Sequence, residues 1–328
     1  MIGGIRARHL PLILTVLIFG LGYGACVVQY PAFASFRVIG DLLTDNSFLG
    51  ILAVGMTFVI ISGGIDLSVG AVVAFSGVFL ALVIQNLHMP PFLAFACVLV
   101  ISAAFGAVMG AIIHYFAIPP FIVTLAGMFF ARGLSSVLTT DSIPITAPVY
   151  NWLNEISVHL PHHGRLSLIG IVMLAVFVVG IVIAHLTRFG RSVYAIGGNR
   201  QSAELMGINL ARTTILIYTL SSLCAGVAGI VFSLYTSAGY SLAAVGVELD
   251  TIAAVVIGGT LLSGGYGFVA GTLIGVLIQG LIQTYITFDG TLSSWWTKIM
   301  IGGLLFGFIL LQRVLLALTS RRRVRTGH

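Results

Sequence analysis

Few side chains in this chain have both the type and the setting to do chemistry. Asp66 stands in the run ISGGIDLSVG (61–70), an acid beside a glycine pair that breaks one apolar stretch from the next. It can cap the helix that follows by accepting from the backbone amide of Ser68 or Val69. Alternatively, with Ser68, it can line a polar pathway at a half-helix end. Proton carriage is the weaker reading, because no second acid inside an apolar run offers a relay. Arg132, in FFARG (129–133), lies about two helical turns from the end of its apolar run. From there its guanidinium either snorkels outward or faces a water-filled cavity. Gln279, Gln283 and Thr284 share one helix face at i, i+4 and i+5. Their polar groups either bridge neighbouring helices or hydrogen-bond hydroxyl groups of a passing solute without imposing a charge. Asp66, Ser68, Arg132, Gln279 and Gln283 are therefore the candidate path residues.

Catalytic readings fail on motif grounds. The only lysine, Lys298, follows a threonine, so the chain has no G-x-x-x-x-G-K-[ST] phosphate loop. Neither H-E-x-x-H nor G-x-S-x-G occurs. No catalytic residue is assigned, and no cofactor is expected on this chain. His159, His162 and His163, near Asp141 and Glu155, lack the carboxylate or cysteine spacing of a metal site and read as surface histidines. Cys26, Cys97 and Cys224 are odd in number and sit in apolar runs, which points to packing.

The longest basic, polar interruption is 187–214, with Arg188, Arg191, Arg200 and Arg212 against the single acid Glu204. Its centre predicts a short helix: Asn199 as N-cap, helix formers to Met206, and Gly207 as the left-handed stop. Ile208 then folds back in a Schellman ending. Such a helix either serves as a grip for a partner or only connects two spans.

These residues need a membrane scaffold to hold them. The 328 residues are 59% hydrophobic and 7% charged, far below the quarter or so of charged residues in soluble chains. With the loops this basic, a net charge of +6 reports membrane sidedness and not a nucleic-acid partner. Apolar runs long enough to span, at about 20 residues each, are 10–28, 42–61, 67–84, 92–113, 121–138, 166–186, 215–235, 251–262, 268–286 and 297–316. The eighth is short. The first, preceded by Arg6 and Arg8, lacks a cleavage site and reads as an uncleaved span. The expected fold is thus an all-α polytopic membrane protein of about ten transmembrane helices. It forms one transmembrane domain over 1–328, with no soluble domain and an outer loop at 139–165.

Ten spans with both termini cytoplasmic put eleven of the 15 basic residues inside: Arg6, Arg8, the four of the central loop, Arg313, Arg321, Arg322, Arg323 and Arg325. Asp41, Asp45, Asp141, Glu155, Glu248, Asp250 and Asp289 then fall outside. Within that group Asp41, Asp45, Glu248 and Asp250 make an acidic face able to steer a basic partner, or Asp250 simply N-caps the eighth span. Ser62-Gly-Gly recurs as Ser263-Gly-Gly, an echo either of a structural repeat or of glycine's abundance at 40 residues. Gly106/Gly110, Gly271/Gly275 and Gly303/Gly307 have the spacing of close-packing helix faces.

Four motifs also carry a resemblance. GGIDLSVG (63–70), IPPFIVTLAGMFFARGL (118–134), RFGRSVYAIGGNRQSAELMGIN (188–209) and ELDTIAAVVIGGTLLSGGYG (248–267) resemble, in order, the signatures of ribose/galactose-type permeases of bacterial ABC sugar importers. The tail LIQGLIQTYITFDGTLSSWWTKI (277–299) resembles the permeases of galactofuranose importers, which work as two similar chains. At Ile278-Gln279-Gly280 the chain departs from the Asn-Asn-Gly of many relatives. The resemblance implies the ABC importer permease fold in a bacterial inner membrane. It also implies a second, paralogous permease, a periplasmic sugar-binding protein, and a cytoplasmic ATPase that holds the ATP and magnesium. Residues 199–208 would be the coupling helix, with Ala203 and Gly207 keeping it slim enough for a groove on the ATPase and Arg200 and Glu204 making charged contacts. The readings that compete with it are an ion-coupled secondary transporter, which needs ionisable groups inside the membrane, and a passive channel.

Overall fold

A computed structural model describes residues 2–161 and 164–325; His162 and His163 lie outside the described residues, as do the side chains of Arg6, Arg8, Arg313, Arg321, Arg322, Arg323 and Arg325. The first helix, α1 (Ile2–Gln29), ends in a 3-10 turn (Pro31–Ala34). It is followed by α2 (Phe36–Asp45), α3 (Ser47–Ile61), α4 (Val69–Gln85), α5 (Pro91–Tyr115) and α6 (Pro120–Leu138). A short connection holds β1 (Ile143–Pro144), α7 (Pro148–Glu155), β2 (Ser157–Leu160) and β3 (Gly164–Ser167). Then come α8 (Leu168–Leu186), α9 (Arg188–Gly198), α10 (Arg200–Leu205), α11 (Leu210–Thr236), β4 (Ala238–Gly239), α12 (Val247–Ile257), α13 (Val269–Asp289) and α14 (Trp295–Arg325).

Each of the ten apolar runs is helical in its core. Among the described residues seven helices are long and apolar enough to cross a membrane by themselves, or eight when the α2–α3 pair, bent by 57° at Asn46, is counted as one span. The other two, α4 and α12, have 17 and 11 residues, too short to cross unaided. They are the halves left by the breaks after α3 and α12. The eighth run ends at Ile257, not at 262, because Gly259 (φ +92°) takes the left-handed stop and Thr260 N–H returns to the Val255 carbonyl. The chain is also not purely helical. β2 and β3 form an antiparallel hairpin, and β1 pairs with β4, tying the 139–165 connection to the end of α11.

α11 is the axis of the bundle, packed against α5, α3 and α4. Small residues set that spacing: a Cβ on Gly106 would strike the Tyr218 carbonyl, and one on Gly110 would lie 2.7 Å from the Ile215 Cα. Gly271 and Gly275 likewise abut the α12 backbone. Gly303 and Gly307 do not behave this way. A Cβ at either meets nothing within 4 Å, since α14 lies at the edge of the bundle with few neighbours in this chain. Trp295 and Trp296 at its start are exposed, as befits a membrane–water boundary. Lys298 on its first turn donates to the Asp250 carboxylate of α12. Asp250 is therefore no N-cap; Gly246 occupies that position.

Candidate functional site

The basic interruption at 187–214 is mostly helix. Thr187 caps α9 by accepting from Gly190 N–H, and Asn209 caps α11 by accepting from Arg212 N–H, so α11 starts five residues before the predicted span. α9 buries Gly190, Val193 and Ile196 at helical spacing and leaves Arg188 and Arg191 exposed. Between them stands α10. Asn199 Oδ1 accepts from Ser202 N–H at 2.8 Å. At the other end Gly207 takes φ +80°, its N–H bonds to the Glu204 carbonyl (2.9 Å), and Ile208 N–H bonds to the Ala203 carbonyl (3.1 Å). That pair of bonds is the Schellman ending predicted from the sequence.

Ala203 departs from its expected use. It is fully buried against Ile196 and Leu210, with Ile208 packed beside them. It seats α10 on α9 and is closed to any partner groove. The surface that α10 offers consists of Arg200 and Glu204, with Leu205 and Met206 at 85% and 69% exposure. Two large apolar side chains held this far into solvent on a short, rigid, polar helix have the form of binding anchors. The run Leu205-Met206 before the stop glycine was the available signal, and sequence reasoning passed over it as helix former and stop.

The candidate path residues are not brought together. Asp66 is fully buried: Oδ1 accepts from Ser68 N–H (2.9 Å) and Ser68 Oγ–H (2.7 Å), and Oδ2 accepts from Ser221 Oγ–H of α11 (2.7 Å). Ser68, also fully buried, holds the N-cap position of α4, so Asp66 braces the turn before the helix and is not its cap. The same 64–68 segment is pinned by Thr124 Oγ1–H to the Ile65 carbonyl (3.2 Å). Arg132, half-buried, is engaged inside the fold. Its Nη1 donates to the carbonyls of Ser241 (2.8 Å) and Ala243 (2.6 Å), holding the turn that leads into α12. That turn abuts the start of α4, where a Cβ on Gly70 would meet the Glu248 carboxylate and lie 2.7 Å from the Ala244 carbonyl. Glu248 thus points into the fold and leaves the acidic outer face. Gln279 is buried and donates to the Asp250 carbonyl at 2.9 Å, bridging α13 to α12.

Gln283 faces an open cavity. The space, about 420 Å³, lies between α2 and α13 and is lined by Arg37, Asp41, Asp45, Asn46, Gln283 and Thr284, with Phe288 at its side. The 57° bend at Asn46 opens this wedge, and Gly280 permits it by letting Asn46 pack onto α13. Asp45 accepts from Tyr235 Oη–H (3.1 Å), and Arg37 and Asp41 face each other at 3.8 Å. The lining mixes carboxylate, guanidinium, amide and hydroxyl groups beside an aromatic ring, a set that suits a small, hydroxyl-rich solute in a volume typical of ligand sites. Among the described residues no group of three or more His, Cys, Asp or Glu could hold a metal ion.

Comparison with known proteins adds relatives to this geometry. The family described as "Branched-chain amino acid transport system / permease component" matches residues 38–309. The chain is 64% identical to the inner membrane ABC transporter permease protein YjfF of Escherichia coli (strain K12), over 96% of each chain. It is 39% identical to the fructose import permease protein FruG of Bifidobacterium longum (strain NCC 2705), over 96% of this chain and 94% of that one. Against the ribose import permease protein RbsC of Escherichia coli (strain K12) the figure is 38%, over 82% of this chain and 84% of that one. No solved structure matches the chain.

Proposed function

This chain belongs to the branched-chain amino acid transport system permease component family, and on that premise we propose that it is the non-catalytic membrane subunit of an ATP-driven monosaccharide importer, worked from the cytoplasm through α10. It is a multi-pass membrane transport permease, not an enzyme. The observation that carries the coupling role is α10 itself: capped at both ends, seated on α9 through Ala203 and Ile208, and presenting Leu205 and Met206 between Arg200 and Glu204. In this reading Asn199 and Gly207 hold its shape and the four exposed side chains meet the ATPase.

Sugar is favoured over an amino acid as cargo because FruG and RbsC are named as fructose and ribose import permeases. Galactofuranose is the specific sugar proposed, on the resemblance of 277–299 alone. The chain acts as one transmembrane domain in a bacterial inner membrane, beside a second, similar permease. A cytoplasmic ATPase binds ATP and magnesium, and a periplasmic sugar-binding protein delivers cargo. The cavity at Gln283 serves as the outward vestibule, with its amide contacting sugar hydroxyls. The buried Asp66, Ser68 and Gln279 and the half-buried Arg132 support the path by fixing the helix breaks around it.

Reconstitution of the whole transporter tests this. Leu205→Asp, Glu204→Arg and Gly207→Pro, the last incompatible with φ +80°, are expected to leave membrane insertion intact. Each should abolish stimulation of ATP turnover by sugar-loaded binding protein. Full stimulation in all three would refute the coupling role. In the same preparation Gln283→Ala should raise the sugar KM about fivefold, the worth of one hydrogen bond of ~1 kcal/mol. An unchanged KM removes Gln283 from the path.

A further inference from the structure

The repeated Ser-Gly-Gly triplets, remote in sequence, are in contact. Gly63 (φ +85°) and Gly264 (φ +82°) both take the left-handed conformation, and a Cβ on Gly264 would lie 2.9 Å from Gly63 N and 3.1 Å from the Gly197 carbonyl. Gly265 N–H donates to the Ile61 carbonyl, the last of α3, at 2.8 Å. A Cβ on Gly197, at the end of α9, would run into that same carbonyl and would lie 2.6 Å from Gly265 N. Tyr194 of α9 adds a bond from its hydroxyl to the Gly267 carbonyl at 2.7 Å. Three backbones therefore meet with no side chain between them: the break after α3, the break after α12, and the helix on which α10 sits.

We infer that this glycine junction is the linkage by which α10 drives the membrane interior, with Gly197 and Gly265 as positioning residues; the inference rests on the coupling role proposed above. Side chains at an interface can absorb small displacements by changing rotamer, whereas backbone in direct contact cannot. A shift of α9–α10 is passed to residues 62–68, which lead into α4, and to residues 258–268, which lead into α13. Both half-helix breaks follow the same push, so the two triplets act as one device. The Gly198 backbone also abuts Gly265, its Cα 2.8 Å from a Cβ built there, but a Cβ on Gly198 itself would meet nothing within 4 Å, so a side chain at 198 leaves the junction undisturbed.

The test uses spin-label pairs in the complete transporter in nanodiscs, nucleotide-free and trapped with ATP and vanadate. One pair joins exposed Gln201 of α10 to Leu262, across the junction; the other joins Gln201 to exposed Val108 on α5. The first distance is expected to stay constant while the second changes. If both change alike, the junction does not transmit and the inference falls, with the coupling role intact. If neither changes, α10 is not moved by the ATPase and both readings fall. Gly265→Ala, or Gly197→Ala should that variant not assemble, is expected to make the 201–262 distance nucleotide-dependent and to lower stimulated ATP turnover severalfold. Gly198→Ala should alter neither. Gly265→Ala and Gly197→Ala complexes with wild-type distances and stimulation would also overturn the inference.

Discussion

Asp66 lies at full burial with both carboxylate oxygens taken up by Ser68 and Ser221. Each donor is local to a backbone that must stay in place: Ser68 starts α4, and Ser221 belongs to the central helix α11. The residue behaves as a rivet between them. Asp66→Asn preserves the acceptor toward Ser68 and lets its amide donate to Ser221, so transport in the reconstituted system should persist near the wild-type level. Asp66→Ala strands the Ser68 amide and the serine hydroxyls, at a cost of about 1–3 kcal/mol for each group left unpaired, and thermal unfolding should occur at a lower temperature. Loss of transport in a stably folded Asp66→Asn would instead favour proton carriage and the ion-coupled alternative. The bond to Ser68 N–H was legible from the spacing D-x-S, although Ser68 and not Asp66 takes the N-cap position of α4. The bond to Ser221, 155 positions away, was not. Ser221 is one of several serines and threonines in an apolar run, and no periodicity singles it out.

At the scale of elements, α10 was the most legible piece, because caps and stops act within a few residues. Asn199, Gly207 and Ile208 form the N-cap and Schellman bonds their identities imply. The same logic missed the burial of Ala203, which depends on Ile196 and Leu210 and not on the helix itself. Glycine pairs give a sharper contrast. Gly106/Gly110 and Gly303/Gly307 have the same spacing, yet only the first pair has a helix backbone against it. Gly110→Leu should therefore force α5 from α11, at ~1–3 kcal/mol of overpacking, and lower the thermal stability of the detergent-purified chain. Gly303→Leu should leave that stability unchanged. Equal effects would mean that the α5–α11 contact is not tight.

For the whole molecule, the two ends of the bundle are distinguished by what gathers there. The break after α3, the break after α12 and α9–α10 share one end through the glycine junction, and the exposed arginines 188, 191, 200 and 212 lie with them. At the other end Gln85 donates to the Pro144 carbonyl and β1 pairs with β4. Arginine excess assigns the first end to the cytoplasm. In a background without Cys26, Cys97 and Cys224, Gln201→Cys should react with an impermeant thiol reagent only from the cytoplasmic side, and Asp141→Cys only from outside. The reverse pattern would invert the molecule and remove α10 from any ATPase.

Sequence alone determined which runs are helical and apolar, that no phosphate loop is present, and how α10 begins and ends. All of these depend on composition or on neighbours within a turn or two. Only the tertiary structure decided that Arg132 holds the turn before α12, that Glu248 points inward, that Gln279 bridges helices while Gln283 meets a cavity, and that the two glycine triplets touch. The reason is physical: in a membrane chain the lipid-facing and helix-facing sides are equally apolar, so hydropathy finds the helices but carries almost no record of which face meets which neighbour.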